Sequence, residues 1–275
     1  MAGQHPLKIR PVKSDELPLL EDFAPQEWNT NISQRFAFYF GQPYFHPIVA
    51  EFDGEIVGCA NGLLNETVGW LGNIIVLPEY RGQGIGSALT ADLVEYFHQH
   101  GCQSQLLVAT KLGEPVYARL GFTVSSTYTF LRSEKTISAR PTPHVRRAQP
   151  GDFEAIRALD QEITGEKRGA FLERFVAGGW VFQADALEPV TGFFLPDLES
   201  GPILAQDATA GLELLQYKLG FGCTFVVVPT SNQPALNFLL SAGFRVENTA
   251  PRMTLGAELK WIPEGVFSRG GGFCG

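Results

Sequence analysis

Two short patterns each occur twice along this chain in the same order, and this repetition limits the possible folds more than any other feature. Ile9-Arg10-Pro11, which precedes an acidic turn, is echoed by Val145-Arg146-Arg147 before a second acidic turn. Further on, the stretch 118–124 (ARLGFTV) is echoed by 240–246 (LSAGFRV). Because the order is kept, the chain is predicted to contain two copies of one fold.

The length of the chain agrees with two domains. Its 275 residues exceed the usual size of one compact core. The segment 138–143 contains Ala-Arg-Pro-Thr-Pro and is typical of a linker, so we expect domains at 1–138 and 139–275. The glycine-rich end, 269–275, is predicted to be poorly ordered.

The first copy shows clear signals for its elements. Asp53-Gly54 between two apolar stretches predicts a hairpin, and 70–77 predicts a third strand. The stretch 87–100 carries the apolar stripe of an amphipathic helix. A strand at 105–109, a short helix at 114–120 and a closing strand at 122–131 complete the copy. These elements predict an α+β fold with a mixed, mostly antiparallel sheet flanked by helices.

Composition and charge exclude several classes of protein. The formal charge of -8 gives no basic patch for nucleic acid, and no apolar run is long enough to span a membrane. The four cysteines are scattered without metal-ligand spacing, so neither a metal site nor a disulfide framework is predicted. No apolar leader follows Met1, and we therefore expect a cytoplasmic protein.

A loop with three glycines, Arg81-Gly82-Gln83-Gly84-Ile85-Gly86, stands between the third strand and the amphipathic helix. Glycines at a helix start leave backbone N–H groups uncrowded, and the helix dipole adds positive charge there. The loop is therefore predicted to bind a diphosphate, although glycines in a turn can also serve only its backbone conformation. The loop matches neither the G-K-[ST] nor the G-x-G-x-x-G pattern.

The stretch 73–86 resembles motif A of the GNAT superfamily of N-acetyltransferases, whose signature [QR]-x-x-G-x-[GA] falls on Arg81, Gly84 and Gly86. The stretch 116–122 (VYARLGF) is similar to motif B of the same superfamily. The resemblance covers about residues 7–132 and, more loosely, 144–256.

This resemblance implies an acetyl-CoA-dependent N-acetyltransferase with no metal. The backbone of Ile74, Ile75 and Val76 would pair with the pantetheine arm of the cofactor. Its pyrophosphate would be held by Arg81, Gly82, Gln83, Gly84, Ile85, Gly86 and Ser87. Tyr117 falls on the tyrosine that protonates the departing CoA thiolate, and a neutral primary amine would attack the thioester directly.

The general base departs from the family pattern. Gln105 and Asn73 stand where some relatives carry a carboxylate, and the nearest acid upstream, Glu66, is a weak candidate. Deprotonation through water needs no single base. The missing base also favours an alternative function, a non-catalytic acyl-CoA-binding sensor or regulatory module.

The second copy looks degenerate. The stretch 203–210 replaces the loop, has no glycine and carries Asp207 at a predicted helix start, where a carboxylate takes the place of a phosphate. Leu239 stands at the position of Tyr117. One active site is therefore expected, in the first copy. Asp160 and Arg168 suggest a wall of a substrate cavity, a structural ion pair or a plain solvated helix.

The acceptor is not identified by the sequence. A small-molecule amine is favoured over a protein amine, with no nucleic acid or membrane as partner, and the protein is expected to be a monomer or homodimer. Substrate specificity is expected to lie in 23–40 and in the second copy.

Overall fold

The computed structural model describes residues 7–28, 30–138 and 142–275, and these residues form two compact units. Unit 1 contains the residues up to Thr123 together with 253–257. Unit 2 contains 124–252 and 258–275. Part of the predicted linker, 139–141, lies outside the described residues, so the domain boundary proposed at 138 stays a prediction.

Unit 1 is built on a sheet in which neighbouring strands are antiparallel except for one parallel pair. Its elements are β1 (Lys8–Pro11), α1 (Ile32–Tyr39), β2 (Phe45–Phe52), β3 (Glu55–Asn65), β4 (Val68–Val76), α2 (Ile85–Gln99), β5 (Ser104–Val108) and α3 (Glu114–Arg119). The strands β1 to β4 pair antiparallel in chain order, and β4 pairs with β5 in parallel. The hairpin predicted at Asp53-Gly54 is confirmed.

The apolar face of α2 fixes this helix on the sheet. Leu89, Leu93 and Phe97 are fully buried, and burial of each such side chain contributes about 1.5–3 kcal/mol. Gly62 on β3 and Gly69 on β4 leave room for the Phe97 ring, since a β-carbon on Gly69 would lie 2.4 Å from it. This close packing holds the N-terminal end of α2 beside the end of β4.

Unit 2 repeats the alternation of strands and helices. Its elements are β6 (Thr123–Arg132), β7 (Val145–Arg147), α4 (Phe153–Thr164), α5 (Gly169–Val176), β8 (Trp180–Phe182), β9 (Gly192–Phe194), β10 (Ile203–Ala205), α6 (Ala208–Leu219), β11 (Phe225–Pro229), α7 (Gln233–Ser241), β12 (Arg245–Gly256) and β13 (Val266–Ser268). One sheet has the order β13-β10-β9-β8-β7. In addition, β6 pairs antiparallel with β11.

The predicted repeat is confirmed at the start of each copy. After β1, Arg10 forms an ion pair with Glu16 at 2.7 Å, and after β7, Arg146 forms the equivalent pair with Asp152 at 2.7 Å. In both places the acid also accepts a backbone N–H three residues upstream, which closes the turn. The predicted α+β class is confirmed as well.

Each unit receives a strand from the other copy of the repeat. Residues 253–257 belong to unit 1, where the N–H of Ala257 donates to Gln103 O at 2.7 Å and Ser104 Oγ donates to Ala257 O at 2.6 Å. The predicted strand at 122–131 forms as β6, but from Val124 onward it belongs to unit 2, where Leu131 pairs with Val226.

The glycine-rich end, which the sequence predicts to be poorly ordered, is packed in the structure. Phe273 and Cys274 are 2% and 1% exposed. The N–H of Ser200 donates to Gly270 O, and Arg168 donates to Cys274 O. Glycine content is a local property of the sequence, whereas burial of Phe273 depends on residues distant in the chain. Among the described residues, no helix has the length and apolar character required to cross a bilayer.

Candidate active site

The start of α2 offers backbone N–H groups to a ligand. Gly84 is the N-cap, with φ of 81°, a conformation that favours glycine, and no side chain caps the helix. The first intrahelical hydrogen bond runs from the N–H of Ala88 to Gly84 O at 3.0 Å. The N–H groups of Ile85, Gly86 and Ser87 therefore have no acceptor within the helix and lie at the positive end of its dipole.

The glycine loop is open above these N–H groups. A β-carbon added to Gly82 or Gly84 would meet no atom within 4 Å. Arg81 Nε donates to Val76 O at 3.0 Å and so fixes the loop on the end of β4. The sequence-predicted residues from Arg81 to Ser87 are thus brought together in an exposed loop and helix start, which fits a diphosphate.

The parallel strands β4 and β5 diverge beside this loop. Their register begins at Val68 with Ser104 and ends at Trp70 with Leu106, although β4 continues to Val76. The edge of β4 that faces β5 is therefore not paired with it over Ile74, Ile75 and Val76. An extended arm of a ligand can form strand-like hydrogen bonds with such an edge.

Tyr117 projects from α3 into the same apolar cluster as Ile74 and Val76. It is 8% exposed, and burial raises its pKa to about 12. No hydrogen bond from the described residues reaches its hydroxyl. A phenol in this environment stays protonated at neutral pH and can donate a proton or a hydrogen bond.

A polar cluster lies at a bulge in β4. Cys59 of β3 pairs with Ile75 and Asn61 pairs with Gly72, so β4 carries one extra residue between these pairs. Asn73, in this bulge, has φ of 49° and donates from Nδ2 to Asn61 Oδ1 at 2.6 Å.

Helix α1 contributes a cation to the cluster. Arg35 Nη1 donates to Asn73 Oδ1 at 3.2 Å. Asn61 is fully buried, and its Nδ2 has no partner among the described residues. Gly62, the neighbour of Asn61, faces α2, so Asn61 and the cluster lie on the opposite face of the sheet.

None of the three positions considered for a general base, Asn73, Gln105 and Glu66, places a carboxylate beside the bulge in β4. Gln105 is 6% exposed and donates to Val94 O of α2, so it faces that helix. Glu66 lies in the turn before β4. At about 3.3 Å per residue of strand, it is on the order of 20 Å along the chain path from Asn73.

Arg35 and Asn61 were not assigned a role by the sequence. Arg35 falls within 23–40, where specificity was expected, but nothing in that stretch distinguishes it from a surface arginine. Asn61 did carry a signal, because it interrupts an otherwise apolar strand, and a buried amide in such a place needs partners.

The described residues of unit 2 leave no comparable open strand edge at the equivalent place. Asp207 caps α6 by accepting the N–H of Ala210 at 2.9 Å, as predicted. The edge of β10 is covered by β13, and the next residue, Arg269, donates its backbone N–H to Val227 O of β11. The chain's own strand thus occupies the space that unit 1 leaves between β4 and β5. Leu239, at the position of Tyr117, is fully buried.

Asp160 and Arg168 form a structural ion pair. Arg168 Nη2 lies 2.7 Å from Asp160 Oδ1, and both side chains are almost fully buried. Burial opposes the charge of Arg168, but Asp160 outweighs it, and the pKa of Arg168 is raised. Of the three interpretations left open by the sequence, the ion pair is present.

Comparisons with known proteins agree with this geometry. Residues 15–122 match the Acetyltransferase (GNAT) family. A glucosamine 6-phosphate N-acetyltransferase of Trypanosoma brucei brucei is 36% identical over 76 residues, which cover 25% of this chain and 52% of that protein. The match thus spans about half the length of that relative.

Two solved structures share the fold over nearly the whole chain. A candidate acetyltransferase from Pyrococcus horikoshii superposes with a TM-score of 0.82 at 19% identity, covering 98% of this chain and 96% of the other. A tandem GNAT protein from the clavulanic acid biosynthesis pathway gives 0.57 at 16% identity, covering 92% and 99%. The predicted architecture of two GNAT-like domains is therefore confirmed, and residues 15–122 of this chain are similar to the GNAT acetyltransferase family.

Proposed function

We propose that this protein is an N-acetyltransferase that uses acetyl-CoA as co-substrate at one active site in unit 1 and acts on a small-molecule primary amine. The observation that carries the proposal is the junction of β4 and α2. An open glycine loop, three N–H groups without helical acceptors and an unpaired strand edge follow one another there.

Each of these features would bind a different part of the cofactor. The N–H groups of Ile85, Gly86 and Ser87 would bind the diphosphate, with Arg81 at the loop entrance. The backbone of Ile74 to Val76 would bind the pantetheine arm in the manner of an added strand. A backbone N–H beside the bulge would stabilise the oxyanion that forms on the thioester carbonyl.

Tyr117 would act as the general acid. Its ring shares a cluster with Ile74 and Val76, so it lies beside the strand that holds the arm. Its raised pKa keeps the proton on the phenol until a thiolate forms next to it. The proton would then pass from the Tyr117 hydroxyl to sulfur as the carbon–sulfur bond breaks.

The amine would approach from the face of the sheet opposite α2. The α2 face is filled by the buried side chains of Leu89, Leu93 and Phe97. On the other face, Asn73 Oδ1 can accept an N–H of the amine while it holds Arg35. Because Asn73 is an amide and Gln105 is bonded to α2, the ammonium would lose its proton to water before it attacks.

Unit 2 would contribute no second cofactor site. Asp207 and β13 occupy the places at which a diphosphate and an arm would bind. We therefore propose one molecule of CoA bound per chain.

The decisive experiment is incubation of the purified protein with acetyl-CoA and a panel of primary amines, with detection of the released thiol. The first amine to test is glucosamine 6-phosphate, the compound in the name of the Trypanosoma relative, followed by amino acids, polyamines and peptides. Turnover with a small amine supports the proposal. Failure to bind acetyl-CoA in calorimetry would refute it, and binding without turnover over a broad pH range would favour an acyl-CoA sensor.

A further inference from the structure

Arg269, in unit 2, is held in place by its main chain and by two aromatic rings. Its backbone N–H donates to Val227 O at 2.8 Å. Its guanidinium carbon lies 5.1 Å from the ring centroid of Tyr128 and 5.2 Å from that of Phe130. Tyr128 and Phe130 are two residues apart on β6 and so share one face of the strand.

This guanidinium has no anionic partner among the described residues. Among the described residues, the Arg269 side chain forms no ion pair and no hydrogen bond, and its Nη1 atom is buried without an acceptor. Burial lowers the pKa of Arg269, and Tyr128 and Cys274 oppose this effect only in part. A half-buried guanidinium whose Nη1 atom is cut off from water and has no acceptor is costly, which points to a missing anion.

Arg168 shows how the same unit accommodates a buried arginine elsewhere. Its guanidinium is paired with Asp160 at 2.7 Å and donates to Cys274 O. The pairing keeps the pKa of Arg168 raised in spite of its burial. Arg269 lacks such a partner, so its charge remains to be balanced by something outside the described chain.

A second arginine belongs to the same group of aromatic contacts as Arg269. Arg252 is 3% exposed, its guanidinium carbon is 4.3 Å from the ring centroid of Trp261, and its Nη1 donates to Ser125 Oγ at 3.1 Å. The rings of Trp261 and Tyr128 are 6.0 Å apart. Arg252, Trp261, Tyr128 and Arg269 therefore follow one another as a continuous cluster.

Tyr128 lies among more positive than negative charges in this cluster. Burial raises the pKa of Tyr128, both Arg252 and Arg269 lower it, and Glu166 and Arg168 exert smaller effects of opposite sign. Tyr128 is 1% exposed, and no hydrogen bond from the described residues reaches its hydroxyl. A buried phenol normally finds a partner, so this donor is available as well.

We propose that Arg269, Arg252, Tyr128 and Trp261 form a binding site for a small oxyanion, the carboxylate or phosphate group of an organic molecule. A guanidinium binds either group through paired N–H donors, and the phenol supplies a further hydrogen bond. The rings exclude water and strengthen these contacts. The site contains no residue of the glycine loop and needs no acetyl-CoA.

The test is a titration of the full chain at constant ionic strength with sodium phosphate, sodium acetate or neutral acetamide. Binding is measured by calorimetry and by tryptophan fluorescence. We expect saturable binding of one of the two anions, phosphate or acetate. The neutral control, acetamide, should not bind. Arg269→Gln should weaken binding at least 10-fold. Arg157→Gln, which alters an exposed arginine paired with Glu154, should leave it unchanged.

Further variants distinguish this site from anion binding at the glycine loop. Gly84→Asp, which adds a negative charge at that loop, should leave the signal intact. Trp261→Phe should remove the fluorescence change but keep the heat of binding. If Arg269→Gln does not fold, Tyr128→Phe and Arg269→Lys should still weaken binding several-fold. Equal binding by wild type and these variants, or no saturable binding, would overturn the proposal.

Discussion

A β-carbon on Gly113 would lie 2.6 Å from Cε2 of Tyr117 and 2.9 Å from its hydroxyl oxygen. The ring of Tyr117 therefore rests directly on the main chain just before α3. Its hydroxyl position depends on the absence of a side chain at residue 113, because real β-carbons do not approach other atoms so closely.

Gly113→Ala should displace the Tyr117 ring and lower kcat about 10-fold. The main chain at Gly113 has φ of -81°, which alanine adopts readily, so the effect comes from the ring and not from backbone strain. Steady-state kinetics would measure kcat, and calorimetry should show unchanged binding of CoA. Gly151→Ala is the matched control, since a β-carbon there meets nothing within 4 Å. An equal loss in both variants would contradict the argument.

Tyr117→Phe should reduce kcat about 100-fold, the lower range for loss of a general acid, with little change in cofactor binding. Because the pKa of Tyr117 is raised to about 12, the phenol remains protonated throughout the usual assay range. The wild-type rate should thus rise with pH as the amine loses its proton and then stay level to about pH 10. A decline beginning near pH 8 that disappears in Tyr117→Phe would show that the phenol titrates much lower.

Gly84→Asp should abolish CoA binding. The substitution adds a β-carbon where φ is 81° and places a carboxylate at the positive end of α2, where it competes with the diphosphate. Gly101→Asp is the control: it has φ of 76° with open space, but it follows the other end of the same helix. Calorimetry should show at least a 10-fold weaker affinity in the first variant only. Retained affinity in Gly84→Asp would exclude the loop as the diphosphate site.

Asp207→Ala should lower the free energy of unfolding by about 1 kcal/mol, the usual value of a lost N-cap. The cause is loss of the hydrogen bond from the N–H of Ala210 to the Asp207 carboxylate. Removal of the charge should not create a second cofactor site, because β13 still covers β10. Chemical denaturation measures the first effect and calorimetric stoichiometry the second. Two CoA molecules per variant chain would refute the assignment of unit 2.

His46 should make the protein less stable in mild acid. Its ring is stacked on Tyr96 at 3.8 Å, burial lowers its pKa, and nearby His100 lowers it further. The folded state therefore prefers neutral His46, so its contribution is complete above about pH 6.5 and is lost as the pH falls and the unfolded chain takes up the proton. Urea unfolding at pH 7.5 and 5.5 would measure the loss, which should be smaller in His46→Phe. An identical loss in the variant would assign it to other groups.

The local parts of the fold were predictable because local signals determine them. Asp53-Gly54 marks a hairpin turn, and the strand, glycine loop and helix from Val68 to Gln99 follow from periodicity and turn chemistry. Asp207 was recognised as a helix cap for the same reason. The roles assigned to Tyr117 and to the loop residues stay predictions.

The exchanged strands and the packed C-terminal end were not predictable. Both β6 and β12 are ordinary strands in sequence, and the choice of partner depends on contacts between distant residues. The cluster of Arg35, Asn61 and Asn73 has no sequence signal as a group, because its members come from three elements. No spacing rule connects such residues before the chain is folded.

The exchange of strands has a consequence for synthesis on the ribosome. Unit 1 cannot complete its sheet when its own copy of the repeat has emerged, because 253–257 are made only after most of the second copy. At ~5–20 residues per second, the edge of β5 stays uncovered for on the order of ten seconds. During that interval the nascent chain exposes an unpaired strand, so cells under heat stress should depend on chaperones to produce this protein in good yield.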